Sequence, residues 1–173
     1  MAILTRNRLN NTFNQFQGKH KKVLCVCSAG VLRSPTAAHI LSAEPFNFNT
    51  RAVGTSNEYA LIPIDLAHIA WAEYIVVMDD SQLETINKMQ TELITDHYGT
   101  HYMLENKFIP VYNLNIEDDY DYRDPAMVSI MTQKFNTLFS DAIVKKSHCR
   151  VNKSDKSECG LHNLQCSYPE CCN

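Results

Sequence analysis

The chain has 173 residues, room for one domain with extensions, and its 45% apolar content with only 5 Gly and 6 Pro excludes a low-complexity polymer. No run of about 18 apolar residues is present, which argues against a membrane-spanning segment. The formal net charge of −3 is uneven: residues 1–22 carry five Lys/Arg and no acid, residues 23–144 carry six Lys/Arg against sixteen Asp/Glu, and the tail carries five bases and three acids. An acidic body of this kind is a poor candidate for broad nucleic-acid binding.

The opening stretch, "MAILTRNRLNNTFNQFQGKHKK", has no apolar core region and no small-residue cleavage site, so it does not read as a secretory signal. A solvated N-terminal extension over residues 1–20 is expected. "KKVLCVC" follows as a continuous apolar run and predicts a central parallel strand buried on both faces. "SPTAAHILSA" predicts a helix, with Ser34 at the N-cap and Pro35 in the first turn. "FNFNTRAVG" is a weaker strand closing at Gly54, and "PIDLAHIAWA" a helix started by Pro63. "EYIVVMD" is a second strongly buried strand. "SQLETINKMQTEL" is a helix with Ser81 and Glu84 in capping-box register. "KFIPVYNL" is a fourth strand whose Pro110 hints at a sheet edge. "DPAMVSIMTQKFNTLFSDAIVKK" is a long amphipathic helix with Met127, Ile130, Met131, Phe135, Leu138, Phe139 and Ile143 as its apolar stripe.

The alternation of strands and helices predicts an α/β fold: a doubly wound, four-stranded parallel sheet in a three-layer α/β/α arrangement, over residues 21–146. Ligands of such sheets sit beyond the carboxyl ends of the strands. The loop Cys27-Ser28-Ala29-Gly30-Val31-Leu32-Arg33 lies at such an end, and so does the loop before Asp124.

The first loop has the chemistry of an oxyanion site. Backbone amides of a tight loop entering a helix converge on an anion. Gly30 permits a left-handed angle in mid-loop. Arg33, six residues after the cysteine, can return across the loop and grip two oxygens of a phosphate. The same positive field favours a thiolate nucleophile at Cys27, and Ser34 is placed to donate a hydrogen bond to it. A nucleotide-hydrolysing loop is a poor match, since no lysine followed by Ser or Thr lies here. The structural alternative is a tight strand-to-helix connection that happens to hold a cysteine and an arginine. A departing alkoxide or phenolate also needs a proton. "EDDYDYRDPAM" offers Glu117, Asp118, Asp119, Asp121 and Asp124. A solvated acidic loop has the same composition, and the position of Asp124 before Pro125 and a helix makes it the preferred acid.

In order and spacing, "VLCVCSAGVLRSPTA", "AVGTS", "WAEYIVVMDD" and "IEDDYDYRDPAMV" resemble the low-molecular-weight protein tyrosine phosphatase family, and in particular a small bacterial and phage branch of it, over roughly residues 22–145. The resemblance implies Cys27 as nucleophile, Arg33 as phosphate binder, Ser34 as thiolate support and Asp124 as general acid and then base. It puts Tyr120 and Tyr122 where an aromatic substrate ring is flanked. It implies hydrolysis of phosphomonoesters, above all protein phosphotyrosine, with no cofactor and no metal. Four positions depart from the family. Gly30 replaces an asparagine that braces the loop, Leu32 replaces a cysteine that guards the nucleophile by a disulfide, Ala38 replaces a helix glutamate, and Ala126-Met127 replace an aromatic pair after Asp-Pro.

The tail over residues 147–173 holds Cys149, Cys159, Cys166, Cys171 and Cys172, in spacings that match no standard zinc pair, and is expected to be a flexible extension. The absence of a signal and the clustering of cysteines outside the body favour a reduced, cytoplasmic setting. Two other functions fit the loop: a thioredoxin-coupled arsenate reductase relaying a disulfide through the tail, and a phosphate-binding module with little turnover. The expected partner is a phosphorylated protein or small phosphate ester, with no nucleic acid and no membrane. The oligomeric state is open.

Overall fold

The computed structural model describes residues 20–95 and 108–140. Strands β1 (Lys22–Cys27), β2 (Asn49–Gly54), β3 (Tyr74–Val77) and β4 (Val111–Asn113) alternate with helices α1 (Arg33–Ser42), α2 (Leu66–Trp71), α3 (Asp80–Thr95) and α4 (Pro125–Leu138). All strand pairs are parallel, in the order β2-β1-β3-β4, so the expected α/β fold with a four-stranded parallel sheet is the one formed. The N-terminal extension to residue 19 and the cysteine-rich tail lie outside the described residues, as does Ile143 of the expected helix stripe. Among the described residues no helix is long and apolar enough to cross a membrane.

Successive strand residues point to opposite faces, and the core divides accordingly. Val23, Cys25 and Cys27 of β1 join Ala37, Ile40 and Leu41 of α1 and Met127, Met131 and Phe135 of α4 in one apolar cluster. Leu24 and Val26 of β1, with Ile75 and Val77 of β3, join Ile69 and Trp71 of α2 and Ile86 and Leu93 of α3 in another. This two-sided burial explains why β1 reads as an unbroken apolar run. Each fully buried Leu, Ile, Met or Phe contributes roughly 1.5–3 kcal/mol by leaving water. An aromatic group ties α4 to the chain ahead of β2: Phe46 meets Phe135 edge-on at 6.2 Å and Phe48 meets Phe139 at 5.1 Å.

Several element starts differ from expectation. Phe46 and Phe48 precede β2 and pack into the core, so the strand begins only at Asn49. The second helix begins after Asp65, whose carboxylate accepts from the His68 amide; Pro63 instead bridges Gly54 beside the sheet. Asp79 receives the Ser81 amide at the start of α3, the role expected of Ser81 itself. Leu138 is exposed at the end of the α4 stripe. Pro110 does stand at the entry of an edge strand, β4.

The order reverses at β1: the chain places β2 on one side of it, then crosses back to place β3 and β4 on the other. The carboxyl ends of β1 and β3 therefore splay their loops apart and open a crevice. The Cys27–Arg33 loop stands at that crevice.

Candidate functional site

Cys27 is the last residue of β1 and Arg33 the first of α1, so the connection between them is only five residues long. Gly30 turns it with φ = 73°, in the left-handed region. The loop packs against the end of β2. A Cβ on Gly30 would stand 3.0 Å from the Gly54 nitrogen, and one on Gly54 would stand 2.6 Å from the Ser28 oxygen. Two facing glycines thus allow backbone to meet backbone.

The following segment secures this contact. The amides of Thr55, Ser56 and Leu61 donate to the carbonyls of Cys27, Ser28 and Ala29 at 2.9, 3.0 and 3.0 Å. With its carbonyls turned towards that segment, the loop presents its amides to the other side. The amides of Ser28, Ala29, Val31 and Leu32 have no partner among the described residues. Neighbouring backbone thus braces the loop on its carbonyl side.

The Cys27 thiol is 3.1 Å from the Gly30 amide, which donates to it, and 3.1 Å from the Ser34 hydroxyl. Ser34 Oγ is also 3.2 Å from the Val53 carbonyl. One hydroxyl proton serves one of these acceptors at a time. A neutral thiol can donate to Ser34 while Ser34 donates to Val53; a thiolate, being acceptor only, draws the Ser34 proton to itself. Ser34 therefore supports the cysteine and does not cap α1, whose cap position is Leu32, with Thr36 Oγ1 donating back to the Leu32 carbonyl. Cys25, two residues earlier on the same face, is fully buried, and burial first and the neighbouring Cys27 second push its thiol pKa up.

Arg33 is 5% exposed and held on two edges. Its Nη1 donates to Asp79 Oδ2 at 3.0 Å and to the Ile116 carbonyl at 2.9 Å. Its Nε pairs with Asp118 Oδ1 at 2.8 Å. Nη2 has no partner among the described residues. Burial alone would raise the Asp79 carboxyl pKa, but hydrogen bonds from Ser81, Gln82 and Arg33 outweigh it and hold it below the ordinary value.

These groups line a cavity of about 410 Å³. Its wall is Cys27, Ser28, Ala29, Val31, Leu32 and Arg33 of the loop, with Tyr59 from the segment after β2 and Asp118 from the segment after β4. The structure thus brings together Cys27, Arg33, Ser34 and the loop residues named from the sequence. Asp124 is not among the residues that line the cavity. Asp124 caps α4, its Oδ1 accepting the amides of Ala126 at 2.7 Å and Met127 at 3.4 Å, and the carboxylate in the cavity is Asp118. An aspartate before a proline at a helix start is also the signature of a capping residue, and Asp124 fills that place.

Tyr120 packs against the core and Tyr122 lies under the Arg123 guanidinium, 5.0 Å from ring centroid to carbon, and neither lines the cavity. Tyr59, 64% exposed, is the aromatic residue at the cavity, and no feature of "SNEYALIP" distinguished it beyond its place after a strand end. Ala126 and Met127 form the first turn of α4, with Met127 fully buried, so they do not shape the cavity. Among the described residues no three His, Cys, Asp or Glu side chains are grouped to hold a metal ion.

No protein-family model matches the chain, and no curated protein matches it.

Proposed function

We propose that this chain is a cysteine-dependent phosphomonoester hydrolase of the low-molecular-weight tyrosine phosphatase type. The observation that carries the reading is the meeting, in one cavity, of a thiol held by the Gly30 amide and Ser34, a row of unpartnered loop amides, and the guanidinium of Arg33. Hydrogen-bond donors converging beside a nucleophile suit the three equatorial oxygens of a phosphoryl group in flight.

In this mechanism the Cys27 thiolate attacks phosphorus in line, and the P–O bond to the leaving group breaks. Asp118 in its protonated form delivers a proton to the departing oxygen. The resulting carboxylate then takes a proton from the water that attacks the phosphocysteine, and Cys27 leaves as thiolate with the Ser34 hydroxyl turned to it. Asp118 replaces Asp124 in this role because it shares the cavity with Cys27. For phosphate to use the Nε–Nη2 edge of Arg33, Asp118 withdraws from Nε.

The rim supports an aromatic substrate. Tyr59 and Val31 are exposed at the cavity and offer an aromatic face and an aliphatic side chain to a phenyl ring, in favour of protein phosphotyrosine. A thiolate nucleophile needs a reducing compartment, consistent with the cytoplasm. Turnover of phosphotyrosine peptides, alkyl phosphates and arsenate, with Cys27→Ser as control, tests the proposal. Phosphotyrosine hydrolysis lost in Cys27→Ser supports it, and thioredoxin-dependent arsenate reduction without hydrolysis contradicts it.

A further inference from the structure

Gln82 lies in the first turn of α3 and is fully buried. A buried carboxamide is costly unless its donors and acceptors are matched, and here they are. Its Oε1 accepts the amides of Met78 and Asp79, both at 2.9 Å, where the chain leaves β3. Its Nε2 donates to Asp79 Oδ2 at 2.7 Å and lies 3.4 Å from Ser28 Oγ and 3.2 Å from Ser81 Oγ. Oδ2 is the oxygen that also accepts from Arg33 Nη1. The other oxygen of Asp79 is occupied by the amide and hydroxyl of Ser81. Asp79 is therefore fixed from three sides, and only one face of it is left for the arginine.

We propose that Gln82 is the positioning residue of the anion cavity: it clamps Asp79 so that Arg33 turns its Nε–Nη2 edge inward, and it orients the Ser28 hydroxyl at the cavity wall. The inference rests on the reading of the cavity as a phosphate site. Gln82 touches no substrate; it acts through Asp79 and Ser28. One Nε2 proton goes to Asp79 Oδ2 and the other lies between Ser81 Oγ and the more distant Ser28 Oγ; by accepting a share of it, Ser28 Oγ keeps its own proton for an oxygen of the ligand. A bare Asp79–Arg33 pair could rotate, and a guanidinium turned by a few tens of degrees loses its two-point grip on phosphate.

Two functions of the carboxamide can be separated by substitution. Gln82→Glu keeps an oxygen for the Met78 and Asp79 amides but replaces the donor facing Asp79 with a second carboxylate. Gln82→Met, of similar length, removes donor and acceptor together without adding a charge. The experiment measures phosphate affinity by calorimetry, and the Arg33 Nε–H resonance by nitrogen-edited NMR without phosphate. The comparison covers the full chain, Gln82→Glu and Gln82→Met. Gln82→Glu is expected to weaken phosphate binding on the order of tenfold and to shift or broaden the Arg33 signal, and Gln82→Met to change both in the same direction. A Gln82→Glu variant with unchanged affinity and an unchanged Arg33 signal overturns the proposal, as does a Gln82→Met variant that keeps the wild-type values of both. If the wild-type chain binds no phosphate, the Arg33 resonance still decides: a signal that follows the clamp leaves the positioning role standing and removes the phosphate reading, and an indifferent signal removes both.

Discussion

Asp118 closes on the Nε edge of Arg33 at 2.8 Å while Asp79, at 3.0 Å, holds the same guanidinium from behind. The two carboxylates differ in their surroundings. Asp79 is 30% exposed and tied to Ser81 and Gln82, whereas Asp118 is 65% exposed. One is enclosed by its partners and the other is open to solvent.

Asp118 therefore has two separable effects. In Asp118→Asn, phosphate affinity is expected to rise several-fold, because a competing carboxylate leaves the arginine, while turnover of a phenyl phosphate ester falls on the order of a hundredfold. The loss is smaller with p-nitrophenyl phosphate, whose leaving group needs little protonation. Asp119→Asn, a neighbouring exposed carboxylate, controls for net charge. Equal losses on both esters would remove Asp118 from the acid role.

Asp124 serves α4. Asp124→Ala is expected to lower stability by about 1 kcal/mol, as for other lost N-caps, and to leave kcat within a few-fold of wild type. Thermal unfolding and steady-state rates measure the two. A collapse of kcat with unchanged stability would return the acid role to Asp124.

The division between what was legible in the sequence and what was not follows from this pair of aspartates. β1, its loop and α1 were readable because burial on both faces writes an unbroken apolar run, and because Gly30 and Pro35 mark a turn and a helix start. Which carboxylate pairs with Arg33 was not readable. "EDDYDYRDP" contains several carboxylates of equal composition, and the path of an irregular loop decides which one reaches Arg33. That path is set by bonds between distant residues: Ile116 donates to Met78, and the Arg123 amide to Thr36 Oγ1. Tyr59 and Gln82 were missed for the same reason. A polar loop and the solvent-like composition of a helix start carry no periodic signal of the cavity or the buried clamp they contribute to.

The glycine pair makes the loop sensitive to a single methyl group. In Gly54→Ala the added carbon would lie 2.6 Å from the Ser28 oxygen and 2.7 Å from Ala60 Cβ. Relieving that overlap is expected to cost about 1–3 kcal/mol of stability and to push the loop out of line, with phosphate binding lost. Chemical denaturation together with calorimetry tests this, and wild-type affinity in Gly54→Ala would show that the close packing is dispensable.

Acid reveals the Asp79 contribution. Its folded pKa lies below the ordinary carboxylate value of about 4, so its stabilisation is complete above that value and is lost as pH falls through the folded pKa. Asp79→Asn is expected to unfold at a lower temperature than wild type at pH 7, with the gap narrowing below about pH 4. A gap that widens in acid would contradict the assignment.

The central claim is that Cys27 carries the phosphoryl group. The direct measurement is rapid acid quenching of the wild-type chain during turnover of a phosphotyrosine peptide, followed by mass spectrometry of its peptides. The account predicts a phosphate adduct on the peptide containing Cys27, absent in Cys27→Ser, which neither turns over nor labels while keeping its fold by circular dichroism. Undiminished hydrolysis in Cys27→Ser, or turnover with the adduct on another residue, would contradict it.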